Sequence, residues 1–131
     1  MCKWVFMACL FLLGLLSSCH EEVKPEEIVG QTAKAYYDGL IKGDYEQFVD
    51  GRYQPDSIPA SYREQLVANA KMFIGEQQET HKGIKSVSVS RVKMDKAHHV
   101  ANVFLILYYG DGTKEEILVP MILYRGVWYT R

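Results

Sequence analysis

The sequence predicts an α+β domain with N-terminal helices packed on one face of a curved antiparallel sheet of about four strands. Three observations carry this expectation. Apolar residues recur at helical spacing in the first half of the chain, at Val29, Ala33, Tyr36 and Leu40, then at Tyr62, Leu66, Ala70 and Phe73. The period changes to two after Ile84, where Val87 and Val89 alternate with Ser86, Ser88 and Ser90. Turn signals then divide the second half into four strand-like runs, and helices followed by a meander make a two-layer domain.

Pro25 suits the first position of a helix, and Glu26 and Glu27 complement the positive end of its dipole. Gly43 stops that helix and Asp44 caps a short second one carrying Tyr45, Phe48 and Val49. "GRYQPDSIPAS" is a loop, and the third helix after it is expected to fade by "GEQQETHKG". "IKSVSVSRVKM" reads as a half-wet strand ending at the Asp95-Lys96 turn. "HHVANVFLILYY" is the strongest strand, and "YGDGT" is a glycine-flanked hairpin signal. "EEILVPMILYR" returns, with Pro120 implying a bulge or an edge, and "VWYTR" closes the sheet.

Before this domain, a lysine at position 3 precedes the apolar run Trp4 to Leu16, about 13 residues long. That is shorter than the ~20 residues of a membrane span and fits the core of an export signal. Leu16-Ser17-Ser18-Cys19 resembles the bacterial lipobox, which implies cleavage before Cys19 and acylation of its thiol. Residues 1–18 are thus an expected lipoprotein signal, 19–24 a lipidated tether and 25–131 the folded domain. Several acyl chains, at ~0.8 kcal/mol per buried CH₂, anchor firmly. The expected place is the bacterial cell envelope, at the outer membrane, on its periplasmic face or on the surface. Glu21 and Glu22 resemble a signal for surface display; a solvated linker explains them equally.

The lipobox also disposes of the odd count of 3 Cys. Cys2 and Cys9 leave with the signal and Cys19 carries lipid, so the domain is expected to hold no disulfide, thiolate metal site or cysteine nucleophile. Removing 18 of 131 residues leaves 113, enough for one modest core. Lys3 is the only charge lost, so 14 basic residues face 16 acidic ones, scattered and without a basic run. No nucleic-acid partner is expected.

"AYYDGLIKGDYEQF", "KGIKSVSV", "VANVFLILYYGDGT" and the late "VWY" resemble the nuclear-transport-factor-2-like, or cystatin-like, superfamily, and within it lipoprotein-borne bacterial domains of unknown function. The similarity spans about residues 25 to 131 and implies a cone-shaped fold with an apolar pocket between helices and sheet. Tyr36, Asn69, Phe73, Phe104, Tyr108 and Trp128 are the expected pocket residues; as core aromatics the rings need no ligand. Asn69 falls on the apolar stripe, where a buried amide requires a hydrogen-bond partner.

Ketosteroid isomerase, which shares the implied fold, uses a tyrosine, a carboxylate base and a protonated acid. Tyr36 resembles that tyrosine in position, but the chain places only Asp56 nearby and no acid on an apolar strand face. Adjacent His98 and His99 on a strand would face opposite sides, and zinc wants at least three protein ligands. No G-x-S-x-G elbow is present. The expected function is a lipid-anchored, non-catalytic binding or accessory module without catalytic residue, metal or cofactor; the alternative is a small isomerase or hydrolase using the pocket. "VFLILYY" and "ILVPMILY" are apolar on both faces, which suggests a homodimer through the outer sheet face, with Phe104, Ile106 and Tyr108 inward and Val103, Leu105 and Leu107 outward.

Overall fold

The computed structural model describes residues 23–131. The expected signal segment 1–18, Cys19 and the tether up to residue 22 lie outside the described residues. Helix α1 spans Pro25–Lys42, α2 Tyr45–Asp50 and α3 Ala60–His81, followed by strands β1 Ile84–Asp95, β2 Val100–Tyr109, β3 Lys114–Tyr124 and β4 Val127–Thr130. The strands pair antiparallel in chain order, and the helices cover one face. The fold class is the α+β arrangement that the sequence predicts.

Helix α1 begins at Pro25 and ends on Gly43, whose φ of 92° lets its N–H return to the last helical carbonyls. Its stripe buries Val29, Ala33 and Leu40. The helix sits very close to β1, because a Cβ on Gly30 would lie only 3.2 Å from the side chains of Val89 and Val92. Those two valines share a face although three positions apart. A register shift between Val89 and Arg91 takes Ser90 out of step and resets the alternation.

Strand β2 faces the opposite way from the expectation. Val103 and Leu105 are 0% exposed and Leu107 is 1% exposed beneath α1, while Tyr108 is 37% exposed on the outer face with Phe104 and Ile106 beside it. The physical reason is clearance: a helix seated this close leaves room for Val and Leu, and Tyr109 and Trp128 supply inner aromatic volume. The outer face is also less bare than two-faced strands suggest. The Arg91 guanidinium lies 4.0 Å from the centre of the Phe104 ring, Ser88 and Tyr108 hydroxyls are 3.2 Å apart, and Ser90 donates to Glu116 at 3.0 Å.

Three local expectations are corrected. Helix α3 does not fade at Gly75 but runs to His81, because a left-handed Lys82 and Gly83 form its stop and Gly83 N–H donates to the Gln77 carbonyl. His81, inside the segment where the helix is expected to fade, is therefore its last residue. His98 and His99 sit in the β1–β2 turn, which Asp95 closes by accepting from the N–H groups of Ala97 and His98.

Exchanging inward and outward positions on β2 tests the facing. Leu105→Glu buries an unpaired carboxylate beneath α1 and should lower stability by roughly 4 kcal/mol or more, enough to unfold the domain. Ile106→Glu, one position away on the outer face, should stay folded and shift the melting midpoint by less than about 5 °C. Circular dichroism melts of the two variants check this.

Candidate functional site

Helix α3 has few large apolar residues, and Ala70 alone is fully buried on it. Its Tyr62 and Met72 are 45% and 61% exposed. With so little to bury, α3 cannot pack down along its length, and a cleft of about 750 Å³ opens between it and the inner face of β2 and β3. That lies within the ~300–1,000 Å³ range of small-molecule and cofactor sites. Leu66 and Phe73 from α3 form one wall, Leu107, Ile117 and Val119 the other, and Leu40 and Phe48 close the back.

One end of the cleft is polar. Tyr109 Oη donates to Glu115 Oε2 at 2.7 Å, and both side chains line the cleft. The His81 ring stacks on Tyr109 with centroids 4.2 Å apart, and its Nδ1 lies 3.1 Å from Asp111 Oδ2. Contact between two chain segments builds this end. Gly110 N–H donates to the Gly83 carbonyl and Asp111 N–H to the His81 carbonyl, docking the β2–β3 turn onto the end of α3. A Cβ on Gly110 would fall 2.1 Å from the Lys82 carbonyl oxygen, so only glycine permits this approach. Also here is Gln77, whose Oε1 is buried without a hydrogen-bond partner among the described residues. Arg52 and Arg131 occupy the opposite end.

Burial, helped by the Glu115 carboxylate, pushes the Tyr109 phenol up to about 12. The hydroxyl and N–H of Thr113, with His81, hold Asp111 down to about 2. The phenol therefore keeps its proton at neutral pH and gives it to Glu115 rather than to a molecule in the cleft.

Of the expected pocket residues, the structure brings Asn69 and Phe73 to the cleft. Asn69 is not a buried amide: it is exposed at the rim, and its Oδ1 accepts from Gln65 Nε2 at 2.9 Å. Phe104 and Tyr108 are on the other side of the sheet. Trp128 is in the core, and Tyr36 Oη donates to its carbonyl at 2.7 Å, stapling α1 to β4 with the ring against Gly51. That hydroxyl is used within the fold, which removes the one position resembling an isomerase tyrosine. Asp56 lies in the loop beside a smaller pocket of about 350 Å³. Tyr109, Glu115 and Gln77 went unremarked in the sequence. Equal parity of Tyr109 and Glu115 across the Gly110–Gly112 turn is the signal that places them on one face, once the turn length is known.

The raised phenol makes a pH test. A group whose folded pKa is raised contributes stability that is complete below its ordinary value near 10 and is lost as pH rises through about 12. Ultraviolet titration should show one tyrosine ionising last, near pH 12. Glu115→Gln should move that step down, and Tyr109→Phe should delete it.

No family model and no curated protein matches the sequence. Among solved structures, a Campylobacter jejuni protein provisionally described as an NTF2-like transpeptidase is similar over 75% of this chain and 92% of its own. The TM-score is 0.61 at 11% identity. With helices α1–α3 leaning over a four-stranded meander and a cleft at the open end, this chain has the NTF2-like fold.

Proposed function

We propose that this chain is a lipid-anchored, non-catalytic binding or accessory module of the bacterial cell envelope, tethered through acyl chains on Cys19 and holding a ligand in the cleft between α3 and the sheet. The observation that carries the reading is the cleft itself: it is open and apolar-walled, and its Tyr109 and Glu115 are engaged with one another. Tyr109 is spent on Glu115; of the two other hydroxyls in the lining, Thr130 donates to the Gly51 carbonyl at 3.4 Å, and Tyr37, whose phenol burial pushes up, is bonded to no side-chain base among the described residues. A catalytic nucleophile is activated by a lowered pKa or by a base that can take its proton, whereas burial beside Glu115 pushes the Tyr109 phenol up to about 12. The transpeptidase description belongs to the Campylobacter protein, and at this identity the likeness carries over the fold alone.

Anchoring and binding are tested separately. Cys19→Ser should abolish metabolic labelling by a palmitate analogue and move the protein out of the membrane fraction; labelling that persists ends the lipoprotein reading. For the cleft, a lipid-free form exported behind a conventional signal should enhance the fluorescence of N-phenyl-1-naphthylamine. Phe73→Glu should cut that at least fivefold while the protein stays folded. Turnover of a nitrophenyl ester or an unsaturated ketosteroid that disappears in Glu115→Gln would replace binding by the alternative isomerase or hydrolase activity.

A further inference from the structure

Strand β3 is long and β4 is short. Their pairing covers only Met121 to Tyr124 of β3. Among the described residues, no strand pairs with Lys114–Val119 on the side away from β2. The direction of the free backbone groups follows from their neighbours. Pro120 turns its carbonyl outward to accept from Arg131 N–H at 3.0 Å, whereas Thr113 turns its carbonyl toward β2 to accept from Tyr109 N–H at 2.9 Å. Backbone groups alternate between the two sides along a strand. Glu116 and Leu118 therefore present their N–H and C=O groups to the open side. Other edges of this sheet are protected: Gly51 and Tyr53 bond to Thr130 along the outside of β4, and β1 is broken by two register shifts.

The open edge runs along the mouth of the cleft. Ile117 and Val119 line it from the inner face of the sheet, facing Leu66, Phe73 and Gln77 across the gap, while Leu118, opposite Phe104, turns its side chain to the outer face. Leu118 is 52% exposed on the edge itself. A slot between a helix and an unpaired strand is the shape that accepts an extended chain, with backbone bonds on one side and alternate side chains entering the apolar space.

We infer that the cleft takes an extended peptide, added as a fifth strand along Lys114–Val119 of β3. The inference rests on the reading of the cleft as a binding site and names its ligand class. Charge sets the direction. Glu115 at the turn end has no cationic partner among the described residues, and Arg52 and Arg131 at the other end have no anionic one. The peptide's amino end belongs near Glu115 and its carboxyl end near the arginines, so it runs parallel to β3. Five or six residues, at ~3.3 Å each, span the open edge. Gln77 Oε1, buried and unpartnered, is placed to accept a hydrogen bond from a donor on the side-chain face of that peptide.

The test uses the full chain in lipid nanodiscs and a fluorescent six-residue peptide of alternating valine and threonine, with lysine at the amino end and aspartate at the carboxyl end. Anisotropy should rise saturably, and the amides of Glu116 and Leu118 should gain protection from hydrogen exchange on binding. Leu118→Pro removes an N–H that no strand uses, so it should weaken binding at least tenfold and leave the protein folded. Leu118→Ala, which keeps the N–H, should bind within about threefold of the parent. Methylating alternate amide nitrogens of the peptide should also weaken binding at least tenfold, a control that leaves the protein untouched. Equal binding by the methylated peptide, or an unaffected Leu118→Pro that is folded, overturns the inference. No peptide binding alongside retained binding of N-phenyl-1-naphthylamine by the lipid-free form overturns it too, leaving the ligand-binding cleft standing. Loss of both takes down the two readings together. Self-association that Leu118→Pro abolishes, without peptide binding, makes a second copy the occupant and likewise overturns it.

Discussion

Helix α1 crosses the inner face of the sheet, and its packing with Val103, Leu105 and Leu107 forms the centre of the core. Burying three aliphatic side chains this completely contributes roughly 2 kcal/mol each before conformational entropy is counted, an upper estimate. That is comparable with the whole net stability of a small domain. The helix comes close because Gly30 lies over Val89 and Val92, and the bulge at Ser90 brings both valines to the same face. The bulge therefore serves the core: without it, Val92 and Met94 would face water.

Seating α1 so deeply has a consequence at the other helix. The inner face of β3 beside the cleft is left to α3, which lines that space with Leu66, Ala70 and Phe73. The fold holds α3 at its ends instead, through the ion pair of Arg63 with Asp50 at 2.9 Å and through the turn at Gly110 beneath its last residues. Between these two attachments the helix bridges a gap. The cleft is a product of helix composition and end fixation, and needs no special cavity-forming residue.

The chemistry inside the cleft follows from the same economy. Tyr109 is brought inward by strand parity, and burial of its ring requires a partner for the hydroxyl. Glu115, two places along the returning strand, provides one. This arrangement uses up two groups that could otherwise act on a substrate, and leaves the arginines at the far end and the backbone of the open edge available to a ligand. The Glu116 and Leu118 amides and carbonyls have no strand partner, and among the described residues Gln77 Oε1 is a buried side-chain oxygen without one. In an open sheet, such an edge is a template for another strand unless the chain blocks it.

What the sequence by itself determined is the class, the order and most boundaries of the elements, because these follow from local physics: the stripe Val29, Ala33, Leu40, the stop at Gly43, the cap at Asp44, the Gly110–Gly112 hairpin and the change of period after Ile84. The proposal of a lipid on Cys19 rests on a local pattern of the same kind and lies outside the described residues. Tertiary structure decided which face of β2 is buried. "VFLILYY" is apolar at every position, so alternation has no sign to read, and only the clearance beneath α1 chooses Val103, Leu105 and Leu107 over Phe104 and Tyr108. It likewise carried α3 on to His81, since a helix stop depends on a Gly83 bond to Gln77, and it moved His98 and His99 into a turn. The site was legible only at Asn69 and Phe73, which sit on a regular helix stripe. Glu115, Tyr109, Gln77 and the open edge of β3 depend on how far β4 extends and where α3 stands off, and neither length nor distance is encoded in any single stretch of the chain.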